Sequence, residues 1–539
     1  MSSDKQPDFK IDRRVHSVDD PHRTGTVKYV GPVHGYSGFW VGLDWDNGDG
    51  KHDGSVNGVR YFQARSEHSG SLVRPHALSK GISFLEALDR RYRADSTKEE
   101  EDEMYVLSTS KRRVNIELVG KNKVQEKLQK FEDMHCASLA CLGVSSPGSP
   151  HAIGAIVPNL RELDLTGSLL GDWQDVCAIC EQLPVLEVLN LSNNQMSHNA
   201  LAMPLLKSIR ILVLNNCGIT WKQVEILKHS LPALEELHLL SNQLESIELS
   251  TGKKVQGFDS LRILNLEDNC INTWDAVLKL SQLRSLEQLH LNKNSLKDIY
   301  YPDFVSIDDS ICACEPQDSS FKPFENLGCL LLGDNKINDF SSVDSLNKFP
   351  SLVDVRLSGN PIADPSSGGL PRFVLIGRLA KIAVLNGSEV SPRERKDSEI
   401  RYVRLVMSKM NIFGQEEIRW LHPRFFELKD RHGIEYMDRS TGNAGLQKMA
   451  SSLLSITFKC IGASMGERPS ITKKLPATTT VGKLKALCES FFKLKSMKLK
   501  LFLQEEGCPL PTMLDDDMAP LIDLGFGSSG VTILVDEEE

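Results

Sequence analysis

Leu234-Glu-Glu-Leu237-His238-Leu239-Leu-Ser-Asn242-Gln-Leu244 places leucines at the first, fourth, sixth and eleventh positions of a unit and an asparagine at the ninth. Leu186 to Met196 repeats it with Asn194. Further copies start at Leu261, Leu286, Leu327 and Leu352, with Asn269, Asn294, Asn335 and Asn360 in the asparagine place. Looser copies start at Leu160, where Ser168 stands for the asparagine, and at Ile209, where Cys217 does. Successive starts lie 23–27 residues apart, except for one interval of 41 between Leu286 and Leu327. The extra residues, at about 300–322, are rich in Asp, Ser and Cys and predict an exposed loop.

A period of this length resembles the leucine-rich repeat. In each L-x-L strand the leucines point inward and the residues beside them face outward on a concave surface. The asparagine is placed to bond backbone groups in the following turn, which an apolar side chain cannot do. One unit cannot cover its own apolar face, so units stack into a solenoid that needs caps. The alternation defines two outward columns. One reads Asp164, Asn190, Val213, His238, Asn265, His290, Leu331 and Arg356. Its neighbour reads Glu162, Val188, Ile211, Glu236, Ile263, Gln288, Cys329 and Asp354. An apolar patch at Val188, Ile211, Val213 and Ile263, with His238 and His290 beside it, is a candidate protein-binding surface. Cover by another part of the chain is an equal alternative. Residues 114–142 are expected to cap the array with a helix near Val124–Met134. The segment from Leu385 to Arg395 resembles the C-terminal cap of intracellular arrays.

The whole chain has 539 residues and a formal net charge of -9, with 40% hydrophobic and 25% charged residues. That balance fits several soluble folding units and gives no support to nucleic-acid binding, which usually needs a basic face. No segment approaches the ~20 apolar residues of a membrane span, and the polar start carries no secretory h-region. Twelve cysteines without framework spacing fit reduced thiols, hence a cytoplasmic protein. Cys177-Ala-Ile-Cys180 lacks a second ligand pair and reads as two buried structural thiols rather than metal ligands. Phosphate-loop, H-E-x-x-H and G-x-S-x-G signatures are missing, so no catalytic residue, metal or cofactor is expected and the protein is not read as an enzyme.

Residues 22–80 are a different kind of unit. Gly25-Thr-Val-Lys-Tyr-Val-Gly31, Phe39-Trp-Val-Gly-Leu-Asp-Trp-Asp46, Gly50-Lys-His-Asp-Gly54 and Val59-Arg-Tyr-Phe62 follow one another in order. The series resembles the CAP-Gly domain, a small β-module that recognises acidic C-terminal tails ending in an aromatic residue. Its motif is G-K-N-D-G, and His52 here takes the Asn place. Lys51 can pair with a terminal carboxylate, Gly50 and Gly54 allow close backbone approach, and aromatic rings supply apolar walls. The resemblance implies a tail site at Trp40, Trp45, Gly50, Lys51, His52, Asp53, Gly54, Phe62, Leu72 and Arg74. Leu72 replaces an aromatic, and Ala77 falls where a polar side chain is common, which lowers the expected affinity.

The last ~90 residues read β-β-α-β-β. Strands are expected at Ser455–Lys459, Ser470–Leu475, Lys498–Leu503 and Val531–Val535, and a helix with 3.6-residue apolar spacing at Thr480–Phe492. This resembles a ubiquitin-like β-grasp domain. Its ending, Asp536-Glu-Glu-Glu539, has no Gly-Gly, so docking rather than conjugation is expected. The reading is therefore a multidomain α+β and α/β protein: CAP-Gly at 9–80, linker at 81–113, capped array at 114–403, helical linker at 404–452 and ubiquitin-like domain at 453–539. This order, the G-K-H-D-G variant, Gly42-Leu-Asp-Trp45-Asp46, and His422-Pro-Arg-Phe-Phe-Glu-Leu-Lys429 resemble a family of tubulin-folding chaperones. The resemblance implies α-tubulin as client, tubulin cofactors B, C and D and an Arf-like small GTPase as partners, and a cytoskeletal location. A ubiquitin-pathway adaptor that delivers tubulin to the proteasome is the alternative.

Overall fold

The computed structural model describes residues 7–93, 129–197, 204–248, 257–302, 322–364, 369–410, 414–434, 453–462, 468–476, 478–494, 498–504, 511–514 and 531–537, with 105–107, 113–115, 255, 517 and 521. The chain divides into two compact units, Met1–Asn269 and Cys270–Glu539.

The first unit opens with an antiparallel sheet of strands Arg14–Ser17, Thr24–Val33, Tyr36–Trp45, Gly70–Val73 and Leu78–Ser79. Val15, Val27, Val41, Leu43, Trp45 and Leu78 form its core. Gly25 is dictated by packing, because a Cβ there would lie 2.9 Å from the Trp45 ring. Arg14 is only 4% exposed, so its charge needs a partner, and both of its terminal nitrogens donate to the Asp46 carboxylate. Burial works to raise the Asp46 pKa, but hydrogen bonds and charge from Arg14 outweigh it and hold the carboxyl below its usual value.

The segment expected to start a linker at residue 81 is instead structured. Ile82–Ser83 pairs in parallel with Val144–Ser146, and helix Phe84–Tyr92 follows. Ser83 caps it by accepting from the Glu86 N–H, while Phe84, Ala87 and Leu88 are buried at helical spacing. The Tyr92 hydroxyl accepts from the Ser138 N–H at 2.9 Å. Arg13 bonds Asp175 of helix Trp173–Cys180, and Gly171 lies against the Arg14 side chain. The first sheet is thus joined to the array by backbone pairing, a helix and an ion pair. Of the expected capping helix, residues 124–128 lie outside the described residues and Phe131–Asp133 forms a 3-10 turn.

Strands Cys136–Ser138, Glu162–Asp164, Val188–Asn190, Ile211–Val213, Glu236–His238 and Ile263–Asn265 pair in parallel in chain order. Leu163, Leu189, Leu212, Leu237 and Leu264 face inward and are at most 3% exposed. The asparagines act as expected. Asn242 donates to the Leu214 carbonyl at 2.8 Å and accepts from the Cys217 and Ile219 N–H groups. Cys217 keeps only part of that role, directing its thiol at the Leu191 carbonyl, and burial pushes its pKa up to about 12. Cys177 and Cys180 are both buried, and burial raises both thiols, that of Cys177 to about 11.

In the second unit Gln288–His290, Cys329–Leu331 and Asp354–Arg356 form a parallel ladder with Leu289, Leu330 and Val355 inside. The hairpin Val384–Leu385 and Ser388–Glu389 ends it. Helices Arg372–Arg378, Pro392–Lys409, Gln415–Leu421 and Phe425–Arg431 share a core of Phe373, Tyr402, Val403, Phe425 and Leu428. The His422–Lys429 segment is therefore packed structure rather than tether. Buried Arg378 bonds Asp344 at 2.6 Å, and Glu399, 4% exposed, holds His432 at 2.8 Å. Residues 303–321 of the expected insertion and the stretch 439–452 lie outside the described residues.

Strands Leu453–Cys460, Ile471–Pro476, Leu499–Gln504, Thr512–Leu514 and Val531–Glu537 and helix Val481–Phe492 make the last domain. The first and last strands pair in parallel at the centre of the sheet, the β-grasp arrangement. Ile456, Phe458, Leu484, Leu501 and Ile533 fill its core. No helix among the described residues is long and apolar enough to cross a membrane.

Candidate functional site

The loop Gly50–Gly54 is built by backbone bonds. The N–H groups of Lys51 and His52 donate to the Gly70 carbonyl at 2.7 and 3.1 Å, and the Gly70 N–H returns a bond to His52 at 2.8 Å. This close approach needs glycine. A Cβ on Gly50 would lie 2.4 Å from the Ser69 backbone, and Gly54, at φ +99, would meet the Phe62 carbonyl at 2.1 Å. His52 fills the motif's Asn place through its ring, whose Nδ1 accepts from the Gly54 N–H at 3.0 Å. That bond needs an unprotonated Nδ1, and burial depresses the His52 pKa, with Lys51 adding to it and Asp53 opposing. Asp53 is occupied locally, accepting from the Ser55 N–H and pairing with Arg60. The net result leaves the Lys51 side chain exposed on a fixed loop.

The structure sorts the expected tail residues. Trp40 is half-buried at the rim, edge-on to Tyr36, which is 51% exposed. Arg74 stacks on Trp40 at 3.8 Å and donates to the Ser37 carbonyl at 2.7 Å, so it braces the wall. Leu72 is half-buried opposite Gly42. Two expectations are corrected. Trp45, 2% exposed, is a core residue, and Phe62, 7% exposed, supports the loop from beneath, against Gly42 and Gly54. Neither ring is free to line a groove. Tyr36, outside the expected set, opens the strand that carries Trp40 and joins it at the rim; an aromatic four residues before Trp40 was the available signal.

On the array of the first unit, Val188, Ile211 and Ile263 share one outward column with Glu162 and Glu236, and Val213 shares the other with His238. All four apolar side chains are half-buried beside inward leucines. His238 faces Glu236 at 3.4 Å. His290 stands in the second unit, in register with Leu331. Among the described residues no group of three or more His, Cys, Asp or Glu converges as metal ligands would.

Residues 11–78 match the family model described as CAP-Gly domain. Over 531 residues the chain is 58% identical to tubulin-folding cofactor E of Arabidopsis thaliana, covering 98% of each. It is 32% identical over 516 residues to tubulin-specific chaperone E of Danio rerio, covering 92% of this chain and 94% of that one. The chain belongs to the tubulin-folding cofactor E family. A solution structure of the C-terminal ubiquitin-like domain of mouse tubulin-specific chaperone e is 26% identical and covers 18% of this chain and 96% of that one, with a TM-score of 0.15. In this cofactor E relative the exposed Lys51 loop and the apolar repeat face are the candidate contact points.

Proposed function

We propose that the chain is a tubulin-folding chaperone whose CAP-Gly loop holds the acidic C-terminal tail of α-tubulin while the repeat face holds its body. It promotes assembly or disassembly of the αβ-heterodimer with tubulin cofactors B, C and D and an Arf-like small GTPase, in the cytoplasm and at the cytoskeleton. Membership of the cofactor E family supports the reading. The observation that carries it is the Gly50–Gly54 loop, pinned to Gly70 and to the His52 ring with Lys51 left exposed, in the same small domain whose rim carries Trp40 and Tyr36. An ammonium on a fixed loop suits a terminal carboxylate, and the rings suit a terminal aromatic residue. Two weak sites on one client can raise avidity by ~10²–10⁴ when both engage. The work is differential binding, with no covalent step. The test is capture of αβ-tubulin from extract on the full chain, with wild type and the Lys51→Ala variant compared and bound cofactors identified. Capture of no tubulin by the wild type would refute the reading.

The ubiquitin-like domain favours a second reading, a proteasome adaptor delivering tubulin for degradation. Phe502 is the cross-strand neighbour of both Leu534 and Met513, the last 44% exposed, which sets an apolar row on the sheet face away from the core. Deletion of residues 453–539 would abolish co-sedimentation with proteasomes on this reading and leave it unchanged on the first.

A further inference from the structure

On the five strands from Glu162–Asp164 to Ile263–Asn265 there are ten outward positions. Four are apolar: Val188, Ile211, Val213 and Ile263. Three are carboxylates, Glu162, Asp164 and Glu236, and none is Lys or Arg. The register fixes their arrangement. Val188 pairs with Ile211, Ile211 with Glu236, and Glu236 with Ile263, so the apolar strip is bracketed and interrupted by negative charge. The adjacent edge does not offset this, because Arg161 is paired with Glu187 at 2.9 Å and Arg210 with Glu235 at 2.6 Å.

We infer that this face takes an apolar client segment flanked by Lys or Arg, and that it rejects the acidic tail assigned to Lys51. The inference rests on the proposed client reading and specifies its chemistry. An acidic peptide laid along the strip would bring like charges beside Glu162, Asp164 and Glu236. A basic one would pair with them, and water screens that pairing less at half-buried Asp164 and Glu236 than at exposed Glu162. The two contact points are then of opposite electrostatic character, so one client is held in one orientation. Strands lie about 4.8 Å apart, so Glu162 and Glu236, three strand spacings apart, stand roughly 14 Å from one another, the length of about ten helical residues. Asp164 is the least adaptable member, since it accepts from Thr166 Oγ1 at 2.6 Å and Ser138 Oγ at 3.0 Å. Glu162 and Glu236 are therefore the groups to change.

The experiment uses the full chain, as wild type and with Glu162→Lys plus Glu236→Lys, and the milder Glu162→Gln plus Glu236→Gln pair as a second variant. The probes are αβ-tubulin stripped of its acidic tails by limited proteolysis, a peptide ending in Glu-Glu-Tyr, and two helical peptides of roughly 15 residues. These two share one leucine pattern and carry either Lys or Glu at their polar positions. The wild type should bind the Lys peptide and tail-less tubulin, more weakly as salt rises, and ignore the Glu peptide. Charge reversal should weaken both at least tenfold and the Gln pair less, with unchanged binding of the Glu-Glu-Tyr peptide. Equal binding of the Lys and Glu peptides, no binding of the Lys peptide, or indifference to charge reversal would overturn the inference. Binding of the Lys peptide without binding of tail-less tubulin would uphold the surface chemistry and refute the client reading instead.

Discussion

A Cβ on Gly81 would lie 2.3 Å from the carbonyl oxygen of Gly143, and that same carbonyl accepts from the Ile82 N–H at 2.9 Å. The CAP-Gly sheet therefore passes into the array through touching backbones. Gly81 also sits at φ +80, a conformation that other residues adopt only with strain. Gly81→Ala should lose the Ile82–Gly143 bond and destabilise the junction by roughly 2 kcal/mol or more. Hydrogen exchange at the Ile82 amide would accelerate while amides in the Val27–Val41 core stay protected. Unchanged exchange at Ile82 would mean that the junction tolerates a side chain and is looser than the backbone contact implies.

Lys51 is exposed on the Gly50–Gly54 loop, the proposed tail site, and its backbone rather than its side chain holds the loop together. Lys51→Ala should therefore leave the melting temperature unchanged and weaken a peptide ending in Glu-Glu-Tyr by roughly tenfold, as expected for one charge-assisted contact partly screened by water. Peptide titration followed by fluorescence anisotropy gives the ratio. Removing the terminal Tyr from the peptide should weaken binding again, through loss of contact with Trp40 and Tyr36. Superimposable titrations for wild type and variant would remove Lys51 from the site.

His52 makes the loop sensitive to acid. Its Nδ1 must be unprotonated to accept from Gly54, and burial lowers its pKa from the ordinary 6.5. The folded protein then binds fewer protons here than the unfolded chain, so the stabilisation is full above pH 6.5 and disappears as pH falls through the depressed folded value. Tail-peptide affinity and thermal stability should both decline in that window. His52→Asn supplies an oxygen acceptor without a titrating proton and should flatten the decline. A wild type and variant with parallel pH profiles would show that the His52 ring does not govern the loop.

Much of this was legible in the sequence because it repeats. A leucine that recurs at fixed spacing can only be the inward residue, which is why Leu212 and Leu237 fall inside and Val213 and His238 face out. The CAP-Gly aromatics carry no such period. Trp45 and Trp40 look alike in a glycine-rich stretch, and only the pairing of Gly25 with Trp45 shows which ring is sealed into the core. Helix Phe84–Tyr92 had a readable signal in Ser83, with Glu86 three residues on and Phe84, Ala87 and Leu88 at helical spacing, but its single apolar stripe is short. The Arg378–Asp344 and Glu399–His432 pairs join residues 34 and 33 positions apart, contacts that no local pattern encodes.

The register of the array is tested by two adjacent substitutions. Val213 is half-buried and outward, whereas Leu214 is fully buried. Val213→Asp should leave the circular-dichroism melt nearly unchanged and impair tubulin capture, by placing another carboxylate on the apolar strip. Leu214→Asp should cost several kcal/mol, because an unpaired carboxylate enters the core, and should melt the array far earlier. Equally damaged melts would place Val213 inside and refute the alternation.

The domains should divide the work unequally. The CAP-Gly sheet has its own core in Val15, Val27, Val41, Leu43, Trp45 and Leu78, so residues 1–80 are expected to fold as a fragment. On the proposed reading Lys51 on the Gly50–Gly54 loop and the two rim rings suit a few tail residues and give no hold on the globular interface between α- and β-tubulin. The repeat strands present a longer surface, which on the proposed reading distinguishes one conformation of α-tubulin from another. A ligand moves an equilibrium only by its differential affinity for the two states. Residues 1–80 should therefore bind tubulin without dissociating the heterodimer. A fragment spanning the CAP-Gly domain and the whole array should be the smallest that changes dimer stability, most effectively with cofactor D or B present. Size-exclusion chromatography of tubulin mixed with each fragment separates dimer from free subunit. Dissociation by residues 1–80 alone, or full activity from a chain lacking the array, would transfer the lever from the repeats to another part of the molecule.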